Sequence, residues 1–282
     1  MNNVEHLLKS LFVMASIVEA RDPYTGGHLW RVSQFSRILA EDGGLPANIV
    51  ARIALGGFLH DLGKVGVPDA ILNKPSKLTS EEYEVIKTHP DIGSRLLADH
   101  PLADLARSAI LSHHEMPNGK GYPNGLSGAA ISVDASVVGV CDAFDAMTST
   151  RPYRKGMPVS KALSIIQDNI GSQFHVEWGQ RLIRLGESGH LDHIVGHSDL
   201  GIPLQECPMC GPTIVVNRNH AHGDHIYCRS CGGEAVVQRT EHTLSIKVTG
   251  HQGSKQDLEP VIDNTLLNEL VLESSRHLAL AE

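Results

Sequence analysis

The sequence predicts a mainly α-helical protein followed by a small β-rich unit and one last helix. Apolar residues recur at three- and four-residue spacing over most of residues 1 to about 197, which is typical of amphipathic helices. From Ile202 the chain changes to short β-branched runs separated by Gly, Asn and Cys. We therefore expect a helical domain over 1–200, a β unit over 201–250, and a linker with a C-terminal helix over 251–282.

Cap and breaker residues predict the order of the elements. The expected helices run from Val4 to the Asp22-Pro23 break, from a Thr25 cap to about Ala40, from Pro46 to His60-Asp61, from a Thr79–Glu82 capping box to about Thr88, after Pro90 and after Pro101, over about 133–147, and over roughly 158–170 and 175–196. Residues 116–130 should form a loop. The expected strands are 213–216, 235–237 and 243–248, followed by a polar linker over 249–260 and a helix over 261–280.

Composition narrows the classes of function. A net charge of −8 argues against non-specific binding to nucleic acid, because phosphate-driven binding requires a basic face. No apolar run approaches the roughly 18 residues that cross a bilayer, and Glu5 and Lys9 interrupt the one candidate for a signal sequence. We expect a cytoplasmic enzyme without a membrane segment, whose cysteines bind metal instead of forming disulfides.

Histidine and aspartate residues form the most informative pattern. His113-His114-Glu115 precedes a Gly/Pro loop with the sequence Gly-Lys-Gly-Tyr-Pro, and the pair His60-Asp61 lies upstream. Together with these pairs, His28, His89 and Asp142 form a series at intervals of about 25 to 30 residues, so that several helices could each supply a nitrogen or oxygen donor. Such a set can hold two divalent metals. Lys64 lies one helical turn after His60 and should project toward the same site.

These segments resemble the HD-GYP phosphodiesterases over about residues 10–185. The resemblance rests on Glu19–Thr25 with His28, Leu59–Asp69, Lys74–Thr79, His113–Glu115 with Gly121-Tyr122-Pro123, and Asp142–Thr148 with Arg151–Arg154. It implies an all-helical HD-domain bundle, a metal centre built on iron or manganese, and hydrolysis of cyclic di-GMP through pGpG toward GMP. Three positions depart from the family pattern: Ser76, Ser136 and the segment Phe174-His175-Val176.

The resemblance also implies roles for individual residues. The matched metal ligands are His28, His60, Asp61, His89, His113, His114 and Asp142, with Asp61 as the bridge between two ions. Lys64 matches the phosphate-binding lysine, and Tyr122, Arg151 and Arg154 match substrate contacts. Some family members bind a third metal through a Glu four residues before the first His; Tyr24 occupies that position here, which favours two metals.

Other residues near these motifs leave alternatives open. Asp145 and Glu115 could orient ligands through hydrogen bonds, although Glu115 could equally be solvated on its loop. Cys141 is expected to be a buried core thiol and not a ligand.

The remaining cysteines predict a second metal site. Cys207 and Cys210 form one Cys-x-x-Cys pair, and Cys228 and Cys231 form another, with seventeen residues between the two pairs. This spacing is typical of a zinc ribbon, with a rubredoxin-like iron site as the alternative. So small a unit should need its metal to fold. Its few basic residues favour protein contact or simple stabilisation over nucleic-acid binding.

Together these features predict a metal-dependent phosphodiesterase that hydrolyses cyclic di-GMP to pGpG and/or GMP with a metal-bridged hydroxide. Two alternatives remain: a phosphohydrolase for another cyclic dinucleotide such as cyclic GMP-AMP, and a catalytically weak cyclic di-GMP sensor. Expected cofactors are two iron or manganese ions in the helical domain and one zinc in the ribbon. Expected partners are cyclic di-GMP, a protein bound through the ribbon, and a second copy in a homodimer.

Overall fold

The computed structural model describes residues 2–21, 26–74, 76–150, 155–259 and 261–278. Ten α-helices precede the strands in these ranges, and one follows them. Their bounds are α1 Asn3–Glu19, α2 His28–Asp42, α3 Ala47–Leu59, α4 Asp69–Leu72, α5 Ser80–Ile86, α6 His89–Leu96, α7 Ala103–Ser112, α8 Val133–Thr148, α9 Val159–Asp168, α10 Val176–Glu187 and α11 Asn264–Ser275. Two 3₁₀ helices span Leu62–Gly66 and Gly128–Ala130.

Helix starts follow the capping rules in some places and not in others. The predicted capping box of α5 is confirmed, since Thr79 and Glu82 each bind the other's backbone N–H. The predicted cap of α2 is wrong: the helix begins at His28 after Gly27, and Thr25 lies outside the described residues. Gly27 has a φ of +72°, a left-handed conformation that favours glycine.

Helix α2 is the centre of the helical domain. Each of its residues from His28 to Ser36 is buried, and it packs between α3 and α8. The Phe35 and Phe144 rings meet edge to face across the α2–α8 contact at 5.2 Å between centroids. A helix buried on most of its surface can present one residue to a central site, and here that residue is His28.

The β unit consists of short antiparallel pairs. The strands are β1 His197–Asp199, β2 Ile202–Pro203, β3 Gln205–Glu206, β4 Thr213–Ile214, β5 His225–Tyr227, β6 Gly233–Arg239 and β7 Leu244–Gln252. They pair as β1-β2, β3-β4 and β5-β6-β7. A separate small core under these strands contains Cys207, Ile214, Val216, Ile226, Cys228, Ala235 and Val237.

Several predicted bounds are wrong. The expected strand over 213–216 pairs only at Thr213–Ile214. Strand β7 continues through four residues expected in the polar linker, 249–252, because Gln252 still pairs with Gly233. Helix α10 ends at Glu187 instead of about 196, and a left-handed Gly189 with a φ of +77° follows.

Helix α11 packs back onto the helical domain. Leu267, Leu270 and Val271 are buried in the same core as α1, and Lys9 donates to the Asn268 side chain at 3.0 Å. The β1-β2 hairpin crosses the predicted boundary at residue 200. Among the described residues, no helix combines the length and apolar character needed to span a bilayer.

Candidate metal centre

All seven predicted metal ligands lie in one cluster inside the helical domain. His28 and His89 are the first residues of α2 and α6, His60 and His113 directly follow α3 and α7, and Asp142 lies within α8. Asp61 precedes the first 3₁₀ helix, and His114 follows His113. Three groups of these side chains have donor atoms close enough to share a cation: His28-His60-Asp142, His89-His113-His114 and His60-Asp61-His113. Their roles as ligands stay a prediction.

Asp61 lies between the group of His28, His60 and Asp142 and the group of His89, His113 and His114. Its Oδ2 is 3.5 Å from Nε2 of His28 and 3.4 Å from Nε2 of His60, whereas its Oδ1 is 3.5 Å from Nε2 of His89. Asp142 Oδ1 lies 3.5 Å from the same His28 nitrogen. Each oxygen of Asp61 therefore faces a different group, which is the arrangement expected of a carboxylate shared by two cations.

Hydrogen bonds on the outer side of the rings direct the other nitrogens inward. The Nδ1–H of His60 donates to the Gly57 carbonyl at 2.7 Å, and that of His89 to the Ile86 carbonyl at 2.8 Å. His113 donates its Nδ1–H to the carbonyls of Ala109 and Ile110, each at 3.0 Å. These bonds leave Nε2 as the ligand atom, and Nε2 atoms of His89 and His113 are only 3.3 Å apart. Converging nitrogens beside carboxylates fit divalent cations of the transition series.

His28 is oriented by a carboxylate instead of a carbonyl. Its Nδ1–H donates to Asp145 Oδ2 at 2.7 Å. Arg31 in turn binds both oxygens of Asp145, at 2.5 and 3.0 Å, and all three side chains are buried. The structure thus gives Asp145 the orienting contact that its position suggested. Arg31 was missed by the sequence reasoning, because an arginine on an amphipathic helix is ordinarily exposed.

The two groups of histidines differ electrostatically. Burial opposes the charged form of His60, but the neighbouring Asp61 and Asp142 carboxylates raise its pKa to about 10. Burial lowers the pKa of His114 to about 3 and also lowers the pKa values of His89 and His113. Although burial opposes it, Lys64 and His60 hold the pKa of Asp61 well below its usual range. The site therefore offers ionised carboxylates and, at His89, His113 and His114, neutral imidazoles, which are the forms that bind metal, whereas His60 must release a proton when it binds a metal.

The predicted substrate contacts are only partly described. Lys64 lies in the 3₁₀ helix instead of an α-helical turn, and its Nζ is 2.6 Å from Asp61 Oδ2. The Tyr122 ring stacks on His114 at 4.6 Å between centroids, and burial raises the pKa of its hydroxyl. Arg151 and Arg154 lie outside the described residues.

A cavity of about 240 Å³ opens beside the second group of histidines. Its walls include His114, Tyr122 and Asp142 together with Ser136 and His175, two of the positions that depart from the family pattern. These departures therefore line the space next to the candidate ligands. Cys141, by contrast, is fully buried in the core, as expected.

Glu115 holds the loop that carries Tyr122. Its side chain is buried and accepts hydrogen bonds from the backbone N–H groups of Asn124 at 2.7 Å and Leu126 at 2.9 Å. The solvated alternative for Glu115 is therefore wrong. Its carboxylate fixes the backbone on the far side of Tyr122, so that the stacked ring has a supported loop beneath it.

Two glycines allow backbones to approach directly beside ligands. A Cβ at Gly63 would overlap the His89 carbonyl and lie 2.5 Å from the Gly93 nitrogen. A Cβ at Gly139 would overlap the carbonyl of His113. Both contacts are with main chain, which cannot rotate away as a side chain can.

We expect Gly63→Ala to displace α6 and with it His89. Forcing a methyl group into packed backbone should cost about 1–3 kcal/mol of unfolding free energy and weaken Mn²⁺ binding. Urea unfolding and calorimetric titration measure the two effects. Gly179→Ala is the control, because its Cβ would meet a flexible Ile170 side chain at 3.1 Å. Equal results for the two variants would contradict this account of Gly63.

The four remaining cysteines also converge. Sγ atoms of Cys207 and Cys231 are 3.7 Å apart, and those of Cys210 and Cys228 are 3.5 Å apart. Sulfur atoms in a tetrahedral zinc site should be about 3.8 Å apart, given a Zn–S bond of about 2.3 Å. Although partial burial opposes it, backbone N–H groups of Met209 and Cys210 lower the pKa of Cys207 to about 7. The donor set fits zinc; the identity of the ion stays a prediction.

Similarity to known proteins agrees with this geometry. Residues 12–177 match the HD domain family model. The chain is 37% identical over 183 residues to a cyclic di-GMP phosphodiesterase of Thermotoga maritima, covering 64% of this chain and 50% of that protein. It is 40% identical over 157 residues to 3'3'-cGAMP-specific phosphodiesterase 3 of Vibrio cholerae, covering 55% of this chain and 34% of that protein.

A solved structure supports the fold. A cyclic GMP-AMP specific phosphodiesterase of V. cholerae superposes with a TM-score of 0.50 at 18% identity, covering 64% of this chain and 49% of that one. The chain spans about half the length of the Thermotoga relative, and the β unit lies beyond the residues matched by the family model. On its matched segment and its motifs, the chain belongs to the HD domain family, in the HD-GYP group.

Proposed function

We propose that this protein is a metal-dependent phosphodiesterase that hydrolyses cyclic di-GMP to pGpG and/or GMP. The observation that carries the proposal is the position of Asp61, whose two oxygens face two separate groups of histidines. Bound at these groups, two iron or manganese ions would polarise the scissile phosphate and activate water for its attack. His28, His60 and Asp142 would hold one ion, His89, His113 and His114 the other, and Asp61 both.

The residues around this centre complete the chemistry. Lys64 is 21% exposed beside Asp61, so its ammonium group can contact a phosphate and neutralise the charge that develops on the phosphoryl oxygens. Tyr122 is held beside His114 and lines the cavity, where it can contact a nucleotide base or sugar. No side-chain nucleophile is required, because water attacks the phosphorus directly.

The choice of cyclic dinucleotide depends on residues that line the cavity. Ser136 and His175 stand there in place of the usual family residues. One relative is named a cyclic di-GMP phosphodiesterase and another a 3'3'-cGAMP-specific phosphodiesterase, at similar identity to this chain. We favour cyclic di-GMP because the loop around Tyr122 retains the Gly-Tyr-Pro sequence, and keep cyclic GMP-AMP as the second substrate.

Turnover of the two dinucleotides tests this proposal. Protein purified without oxygen and loaded with iron or manganese should convert cyclic di-GMP faster than cyclic GMP-AMP, with products separated by chromatography. Faster conversion of cyclic GMP-AMP would replace the substrate and keep the enzyme class. Tight binding of cyclic di-GMP without product, in fully metal-loaded protein, would instead support a sensor.

Lys64→Ala should lower kcat by about a hundredfold. A cation beside the phosphoryl oxygens stabilises the transition state, in which negative charge develops on them, more than it stabilises the bound substrate. Its loss should therefore lower kcat more than it raises KM. Steady-state kinetics at full metal occupancy measure the split. Lys161→Ala removes an exposed lysine from α9 and is the matched control. An unchanged kcat for Lys64→Ala would reject the role.

A further inference from the structure

We propose that the cysteine unit is a positioning element for the metal centre: with zinc bound, it holds the backbone before His28 in place. We name residues 197–252 the ribbon unit. Loss of its zinc should therefore weaken metal binding in the helical domain. The inference rests on the proposed metal centre, and it gives the ribbon unit a role in this chain instead of an outside partner.

The first contact is at the turn that leads into α2. A Cβ at Gly26 would overlap Val215 Cγ2, and a Cβ at Gly27 would lie 2.6 Å from the Ser198 Cα atom. The backbone directly before His28 thus lies against β1 and the residue after β4, with no room for a side chain. Movement of the ribbon unit would release this turn, which is where α2 begins.

The second contact runs through Arg31. Its Nη1 donates to the carbonyl of His197 at 2.8 Å and to that of Gly26 at 3.0 Å. The same guanidinium holds Asp145, which accepts from Nδ1 of His28. One buried side chain therefore joins strand β1 of the ribbon unit to the carboxylate that orients the first histidine.

The third set of contacts starts beside the cysteines themselves. Arg229 follows Cys228 and donates through Nη1 to the Ala20 carbonyl at 3.0 Å, at the end of α1. The neighbouring Glu19 accepts from the Leu29 N–H at 3.0 Å, next to His28. Glu206 precedes Cys207 and accepts from the Thr150 hydroxyl at 2.9 Å. Because Arg229 and Glu206 are each adjacent to a predicted zinc ligand, the geometry of the sulfur site fixes the positions of their side chains.

The ribbon unit should depend on zinc for its folding because its hydrophobic core is small. Its buried residues are few and include two of the cysteines, so the four thiolates must be held together for the unit to stay folded. Unfolding of this core would remove the contacts of Val215 with Gly26 and of Arg229 with Ala20. It would also release Arg218 from Asp199 of β1, the strand that Arg31 contacts. Loss of an outer hydrogen-bond partner of a metal-bound histidine typically lowers metal affinity by about 10- to 100-fold.

Mn²⁺ titration of the full chain tests the proposal without any assay of turnover. Zinc content is measured by emission spectroscopy, and Mn²⁺ affinity of the helical domain by calorimetry. We expect Cys228→Ser to lose zinc and to bind Mn²⁺ about tenfold more weakly. Arg229→Ala should keep its zinc and still bind Mn²⁺ more weakly, with Arg229→Lys in between. Lys247→Ala, an exposed position on β7 of the same unit, should match the wild type.

Hydrogen exchange at the amides of residues 26–31 is the second measurement. Faster exchange there in Arg229→Ala, with unchanged exchange in α7, would support positioning over general destabilisation. Unchanged Mn²⁺ affinity in zinc-free Cys228→Ser, or in Arg229→Ala, would overturn the proposal. Should Cys228→Ser unfold completely, Arg229→Ala decides alone, because it keeps all four thiolates. Failure of the proposed hydrolysis would leave these binding results untouched.

Discussion

Replacing Asp61 by Asn should lower turnover by on the order of a thousandfold while the helical fold persists. The two carboxylate oxygens face different groups of histidines, so an amide would direct an N–H toward one of the cations. The substitution also removes a negative charge beside imidazoles whose burial already keeps His89 and His113 neutral. Without that charge, the remaining donors should hold two cations poorly.

Kinetics, metal analysis and circular dichroism check this expectation together. Asp61→Asn should retain wild-type helicity, contain less iron or manganese, and hydrolyse cyclic di-GMP hardly at all. Asp104→Asn is the matched control, since that side chain is 94% exposed on α7. Wild-type turnover by Asp61→Asn would refute both the bridging role and the proposed function.

Much of the fold, and the residues that make up the candidate site, could be predicted from the sequence. Apolar spacing predicted the helices in order, because burial on one side of a helix imposes a period that a sequence shows directly. The seven candidate ligands came from motifs, and the structure brings all of them together. Helix ends were less predictable: α2 starts at His28 because Gly27 turns the chain there, against Ser198 from a distant segment.

What the sequence did not reveal depends on contacts between distant segments. Glu115 is buried because it binds backbone N–H groups nine and eleven residues further on. Gly63 is required by the approach of α6, whose distance no local pattern encodes. A possible sign was the clustering of glycines beside the ligand motifs, since close backbone contacts need them. The packing of α11 on α1 likewise depends on tertiary burial of Leu267 and Val271.

The contact between the ribbon unit and the helical domain changes how cysteine variants should be interpreted. The two metal sites differ in ligand type, with cysteines in one and histidines with aspartates in the other, and could be expected to act independently. The structure instead places Arg31 and Arg229 across the junction. Reduced activity in a zinc-free variant would therefore agree with a role of the ribbon unit in positioning His28. The Mn²⁺ affinity distinguishes this role from a defect unrelated to the metal centre.

Arg31→Met should be among the most destabilising single changes in the helical domain. Arg31 and Asp145 are each 1% exposed, and removal of the guanidinium would leave a buried carboxylate with His28 as its remaining ion-pair partner. Removing one member of such a pair costs about 3–5 kcal/mol, because the other charge stays buried after it has lost most of its compensation. Urea unfolding of the metal-free protein measures the loss.

Arg107→Met is the matched control for this change. Arg107 also pairs with an aspartate, Asp104, at 3.2 Å, but the two side chains are 43% and 94% exposed, so water compensates Asp104 and the cost should be about 1 kcal/mol or less. Adding Asp145→Asn to Arg31→Met should recover part of the stability, since it removes the uncompensated charge. Equal losses for Arg31→Met and Arg107→Met, or no recovery in the double variant, would show that Arg31 contributes through packing and not through its charge on Asp145.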